Sequence, residues 1–162
     1  MQLLQVKNGT IVKEDGSPIL LRGTCVGGWM NLEDFINGYP GTETGIRKRM
    51  REILGETTGR YFFERMIDNF FGEDDIAFIA STGANVVRLP LSYRHFEDDM
   101  NPFVYKKEGF RRLDKIVALC EKYNLYVILD MHAVPGWQNC HWHSDNERGA
   151  SLFWTHKHFQ DR

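Results

Sequence analysis

The sequence predicts an α/β fold, the N-terminal part of a (β/α)8 barrel with about three βα units preceded by a β-hairpin. Three observations carry this. The segment Leu125 to Asn139, LYVILDMHAVPGWQN, opens with a nearly unbroken apolar run, the pattern of a strand buried on both faces of a parallel sheet. From Asn85 onward strand-like and helix-like stretches alternate, which argues for parallel strands with right-handed crossovers. The units number about three, less than half of a barrel that typically needs about 250 residues. Residues 1–162 are therefore expected to be the N-terminal portion of one larger (β/α)8 domain. A small three-layer α/β domain is the alternative, and it needs more strands than the sequence offers.

The elements follow in order. Leu4 to Leu21 alternates short apolar runs with turn signals at Asn8-Gly9 and Asp15-Gly16, a β-hairpin. Arg22 to Leu32 carries a strand and then a bend at Gly27-Gly28. Glu43 to Phe71 is helical in two pieces, broken near Gly55 and Gly59, and Glu73 to Ser81 is a further helix stopped by Gly83. Asn85 to Leu89 is a short strand ended by Pro90. Glu108 to Tyr123 is an amphipathic helix, with Phe110, Leu113, Ile116, Val117 and Cys120 at three- and four-residue steps. Leu125 to Met131 is the next strand, and Ala150 to Phe159 begins a helix that reaches Arg162 without a cap or stop signal.

Composition narrows the function. The chain is 42% hydrophobic, 13% aromatic and 26% charged, with a formal net charge of −2, a core-forming composition without a nucleic-acid footprint. The richest basic stretch, Arg47 to Arg51, is interleaved with apolar residues and followed by Glu52, as on a solvated helix face. No apolar run approaches the roughly 20 residues that span a membrane. Cys25, Cys120 and Cys140 are an odd set without metal-type spacing, so no disulfide framework is expected. Met1 to Thr10 has no apolar core behind a basic start, so the expected setting is cytoplasmic, or secreted if the N-terminus was trimmed.

Chemistry-bearing residues gather where strands end. Arg88 sits inside an apolar strand, where an unpaired guanidinium is costly, and Asp130 on the neighbouring strand is its natural partner. His132 directly follows its strand and so faces the barrel mouth. Trp29, Trp137 and Trp142 are candidates to stack on a sugar ring, whereas Trp154 is expected to pack a helix into the core. Gln138 and Asn139 fit two readings, hydroxyl contacts or stiffening of their own loop. In His141-Trp142-His143-Ser144-Asp145 a divalent-metal site with His132 competes with a polar rim of the cleft. The rim is preferred, so neither a metal nor a cofactor is expected.

Three segments together resemble the family 5 glycoside hydrolases, most closely the exo-β-1,3-glucanase-like members and bacterial cellulase-like relatives. LRGTCVGGWMNLE, ending at Glu33, is similar to their first strand and loop. GANVVRLPLSYRHF, Gly83 to Phe96, is similar to their second strand with its arginine, and LYVILDMHAVPGWQN to their third with its histidine. The resemblance implies a retaining hydrolase of O-glycosyl bonds acting on a β-glucan or related oligosaccharide. Arg88 is then expected to hold the catalytic nucleophile ionised, and His132 to hold a sugar hydroxyl beside the scissile bond. Glu33 is expected either to bind the non-reducing-end sugar or to be an exposed loop carboxylate. The two catalytic glutamates of that family follow its fourth and seventh strands. No Asn-Glu-Pro segment follows the third strand here, and Asn146-Glu147, followed by Arg148, is not assigned the acid role.

The chain alone is therefore expected to be inactive, with Arg88 and His132 as supporting residues and Glu33, Trp29, Trp137, Gln138 and Asn139 facing substrate. A half-barrel is expected to self-associate or to need a complementing C-terminal half. Two other readings stay open: a non-catalytic carbohydrate-binding or assembly module, and a metal-dependent enzyme built on the histidine-rich loop.

Overall fold

The computed structural model describes residues Leu3 to Arg162. Strands β1 (Gln5–Lys7) and β2 (Thr10–Val12) pair antiparallel through Gln5–Val12, Val6–Ile11 and Lys7–Thr10. Asn8 and Gly9 join them at φ 50° and 74°, the doubly left-handed turn whose twist suits a two-residue hairpin. Asn85 ties the following stretch to the sheet. Its Oδ1 accepts from the Arg22 N–H at 2.8 Å, and its Nδ2 donates to the Leu20 carbonyl at 2.9 Å.

Strand β3 (Gly23–Cys25) leads through the Gly27-Gly28 bend into a one-turn helix α1 (Asp34–Asn37), which the sequence reading missed. Helices α2 (Glu43–Leu54) and α3 (Glu56–Phe70) are separated at Gly55 alone, where φ is 80° and ψ 161°. Gly59 does not break the helix as expected. It lies inside α3, and a Cβ there would sit 3.2 Å from the Arg51 Cα, so the missing side chain lets α3 approach α2 closely. Helix α4 (Glu73–Ser81) matches the expected bounds, with three acids in its first turn and Gly83 at φ 84° beyond its end.

Strand β4 (Val86–Ser92) runs on through Pro90, contrary to the expectation that proline ends it. Hydrogen bonds show why it can. The Arg88 carbonyl accepts from the Val26 N–H, and the Ser92 N–H donates to the Met30 carbonyl, so alternate residues of β4 face β3 and its following loop. Pro90 falls between these two on that side, where β3 has already ended, and no ladder donor is lost. A small hairpin of β5 (Glu97–Asp98) and β6 (Asn101–Tyr105) follows, unanticipated because five residues carry no clear period.

Helix α5 (Lys107–Lys122) buries Leu113, Ile116 and Cys120, and burial pushes the Cys120 thiol up to about 11. Strand β7 (Tyr126–Ala133) completes a parallel sheet of order β3-β4-β7, with Val87 beside Val127 and Leu89 beside Leu129. The core between this sheet and helices α3, α4 and α5 contains Met30, Ile76, Val87, Leu89, Ile116 and Leu125. β7 is not buried on both faces as the apolar run implied: Leu129 is 55% exposed and Ile128 and Met131 are half-exposed, because among the described residues β7 pairs only with β4.

The expected helix Ala150–Phe159 shrinks to α6 (Lys157–Gln160). The N–H groups of Leu152 and Phe153 both donate to the Gly136 carbonyl, at 2.7 and 2.9 Å, which pulls this stretch into a turn against the Pro135-Gly136 loop. Leu89, fully buried in the centre of β4, tests the packing. Leu89→Ala is expected to lower stability by about 3 kcal/mol in urea denaturation, and a loss near zero would mean that this core is not closely packed.

Candidate active site

Strand register places the central groups. Cys25 pairs with Arg88 and Arg88 with Ile128, and Asp130 and His132 lie two and four residues beyond Ile128. With a side-chain period of two, Cys25, Arg88, Asp130 and His132 share one face of the sheet at its C-terminal end. Arg88 Nη2 donates to Asp130 Oδ2 at 2.5 Å, and Nη1 donates to Cys25 Sγ at 3.1 Å. Desolvation works against the Arg88 charge, but Cys25 and Asp130 outweigh it and raise its pKa further. His132 Nδ1 lies 2.9 Å from Asp130 Oδ2 and 3.2 Å from Arg88 Nη2. We assign the ring proton to Nδ1, facing the nearer, acceptor-only carboxylate, which leaves Nε2 as an acceptor toward the mouth. The expected Arg88–Asp130 pair is thus present, with His132 added to it.

Glu33 stands beside this group on the loop after β3. Asn37 Oδ1 accepts from its N–H at 2.8 Å, and Gly27 leaves room for its side chain, since a Cβ there would lie 2.6 Å from Glu33 Oε1. The Glu33 carboxyl accepts no hydrogen bond from the described residues. Desolvation raises its pKa, while His132 and Arg88 are close enough to pull it back. A carboxyl held partly dry, with the Arg88 charge nearby, suits a hydroxyl ligand better than open solvent.

Trp29 does not join the site. It is 2% exposed, its Nε1 donates to the Ile67 carbonyl at 3.0 Å, and its ring packs edge-on against Phe71, so it offers no face for stacking. Trp154 departs from expectation the other way: it is 65% exposed and donates from Nε1 to the Gln138 carbonyl. Trp137 is half-buried at φ 59°, its Nε1 donating to the Asp145 carbonyl at 2.8 Å and its ring 5.8 Å from the Arg148 guanidinium. Gln138 and Asn139 bind their own loop. Gln138 Nε2 donates to the His132 carbonyl at 2.5 Å, and Asn139 Oδ1 accepts from the His141 N–H and from Ser144 Oγ.

The histidine-rich run does not converge on a metal. His141 stacks on His143 with centroids 5.8 Å apart, and His143 lies 5.5 Å from His132. Asp145 turns away to Thr44 and Arg94, and among the described residues no three His, Cys, Asp or Glu side chains are grouped to hold a metal ion. Glu147 accepts from Thr42 Oγ1 at 3.2 Å.

Two buried carboxylates hold the surrounding loops, a role that the sequence reading gave to neither; it read Asp145 only as a possible metal ligand. Asp145 accepts from the Thr44 N–H at 2.7 Å, Thr44 Oγ1 at 2.6 Å and Arg94 Nε at 2.7 Å; desolvation raises its pKa against these partners. Glu43 accepts from the Leu32 N–H at 3.0 Å and from Arg47 Nε at 2.7 Å, and lies 3.6 Å from His95 Nε2. Burial pushes His95 down to about 4, against the pull of Glu43. An acid at a helix start was the available signal for Glu43, but such residues are ordinarily solvated. Nothing in sequence pairs Asp145 with Thr44, 101 positions away.

Comparison with known proteins agrees with this architecture. The family profile described as "Cellulase (glycosyl hydrolase family 5)" matches residues 56–161. A beta-xylosidase of Phanerodontia chrysosporium is 48% identical over 162 residues, covering 100% of this chain and 34% of that protein. Glucan 1,3-beta-glucosidase 1 of Schizosaccharomyces pombe is 34% identical over 127 residues, covering 74% of this chain and 31% of that protein. The chain thus spans about a third of the length of these curated relatives. The crystal structure of a rutinosidase from Aspergillus niger superposes with a TM-score of 0.67 at 24% identity, over 86% of this chain and 41% of that one, a likeness of fold.

Two predictions follow from the buried charges. An unfolded histidine titrates near 6.5, so between pH 6.5 and 4 the unfolded chain binds a proton that His95 in the fold does not, and stability falls as pH falls through that window by on the order of 3 kcal/mol. Urea midpoints across the window should drop for the wild type and flatten for His95→Gln; parallel slopes would refute the assignment. Asp145→Ala, which leaves Thr44 unpaired and Arg94 with Asp99 alone, should cost about 3 kcal/mol and red-shift tryptophan fluorescence. Asp145→Asn should cost less, because the Thr44 bonds can persist.

Proposed function

This chain belongs to glycosyl hydrolase family 5, and on that premise we propose that it supplies one wall of the cleft of a retaining β-glycosidase acting on a β-glucan or related oligosaccharide. Retaining hydrolysis needs two carboxylates about 5 Å apart, one as acid/base and one as nucleophile, and it needs no cofactor. Neither is assigned to this chain. Its part is to position: Arg88, fixed by Asp130 and Cys25, presents positive charge that keeps a neighbouring nucleophile ionised, and His132 Nε2 accepts a sugar hydroxyl.

The single observation that carries the reading is Glu33, a partly desolvated carboxyl that accepts no hydrogen bond among the described residues, beside His132 and Arg88. A sugar hydroxyl supplies the missing hydrogen bond, and a bond to a charged acceptor typically contributes about 1.5–3 kcal/mol. In the full-length protein, Glu33→Gln should lower kcat/KM by about 10- to 100-fold on aryl β-glucosides or β-xylosides. An unchanged kcat/KM on both would remove Glu33 from the cleft. The 162-residue chain should turn over neither substrate. Hydrolysis by the purified chain that disappears in Glu147→Gln would overturn that claim.

We further propose that the open side of β7, with Ile128, Leu129 and Met131 half-exposed, is covered in use by a second copy or by a complementing C-terminal half. Light scattering of the chain alone should show association that depends on concentration. A monodisperse monomer with a cooperative unfolding transition would count against it.

A further inference from the structure

Arg88 reaches both of its neighbouring strands. Nη2 donates to Asp130 Oδ2 on β7, and Nη1 donates to Cys25 Sγ on β3 at 3.1 Å. The second contact follows from the backbone. Cys25 and Arg88 are register partners, and the Val26 N–H donates to the Arg88 carbonyl at 3.0 Å. The two residues therefore stand abreast on adjacent strands with their side chains on one face. One guanidinium joins all three parallel strands.

The two contacts are not alike. Asp130 engages through a single oxygen, and the same Oδ2 lies 2.9 Å from His132 Nδ1. A bidentate carboxylate fixes the plane of a guanidinium, but a one-point contact is a pivot. With Asp130 alone, Arg88 can swing while that bond stays intact. Cys25 supplies a second point on the other terminal nitrogen, and the swing is stopped. A thiol is also a weak acceptor, so it holds the fork while offsetting the positive charge less than a second carboxylate would. The other titratable groups about Arg88 are Asp130 and His132 on β7, both at Nη2, and Glu33 in the loop after β3.

We propose that Cys25 is a positioning residue of the hydrolase, the second hold that aims Arg88 at the catalytic nucleophile. The inference rests on the reading above, in which Arg88 keeps that nucleophile ionised. A nearby positive charge favours the ionised form more strongly the closer it stays. A swinging guanidinium spends part of its time farther off, and the nucleophile then takes up its proton at higher pH. Protonation of the nucleophile ends activity, so loss of the hold moves the acidic limb of the pH profile upward.

The test uses the full-length protein with a nitrophenyl β-glucoside and β-xyloside. Cys25→Ala should lower kcat about 10-fold, as one hydrogen bond to a charged group allows. KM should stay within about two-fold, and the acidic limb of kcat/KM should rise by about half a pH unit. Cys25→Ser, whose hydroxyl can accept from Nη1, should recover most of kcat and return the limb. Cys25→Val, which fills the space without an acceptor, gives the same reading if Cys25→Ala fails to fold. Arg88→Lys separates the two levels of the argument. If it leaves kcat and the limb unchanged, the role of Arg88 falls and that of Cys25 with it. If Arg88→Lys is impaired while Cys25→Ala or Cys25→Val keeps the wild-type limb, whatever its unfolding midpoint, the positioning role alone is overturned and the cleft reading stands. Cys25→Ser as impaired as Cys25→Ala would overturn the hydrogen bond as the hold.

Discussion

One buried carboxylate, Asp145, binds together the segments that follow all three parallel strands. Thr44 lies beyond the loop after β3, Arg94 just beyond β4, and Asp145 itself in the loop after β7. The first two segments also bury apolar residues, Trp29, Met30 and Leu32 after β3 and Tyr93 and Phe96 after β4, so the carboxylate adds polar ties between loops already seated on the core. A charge taken out of water must find several donors close at hand, and this requirement selects a single arrangement of the three. Glu43, one residue before Thr44, repeats the device by holding Leu32 and Arg47. The loops above the sheet are therefore tied by buried charge as well as by apolar packing.

The division of labour explains the site. Parallel register puts Arg88 and Asp130 on one face, hydrogen bonds bring His132, at a register irregularity, to the same pair, and the apolar core fixes the register through Val87, Leu89 and Val127. These strand-borne groups need no loop to align them. Glu33 and the ring of Trp142 are loop-borne, and their placement depends on the buried acids. Groups on strand ends are held by the sheet itself, whereas loop-borne groups can vary without disturbing it.

What was legible in the sequence was whatever local pattern determines. The hairpin at Asn8-Gly9, helix α4, helix α5 and the strands bearing Arg88 and Asp130 have strong periods or obligatory turn residues, and they appear where expected. Family resemblance and structure agree on the order of the strands. Failures occur where a distant partner overrides a local rule. Pro90 is harmless in a strand because its neighbour on that side has ended. Trp29 is a core residue because α3 supplies a carbonyl for its indole, and residues 150–156 form turns because Gly136 captures their N–H groups. Trp137, read as a stacking ring, also anchors its loop through its indole N–H.

Pro90 has one more effect, on how motion spreads. Below it, β4 is bonded to β3 at Val26; above it, β4 is bonded to the first loop at Met30, and between them the proline offers no N–H to connect the two zones. The gap acts as a firebreak. An opening at the Met30 contact is therefore not passed through a shared N–H to the bonds below, and Arg88 keeps its partners.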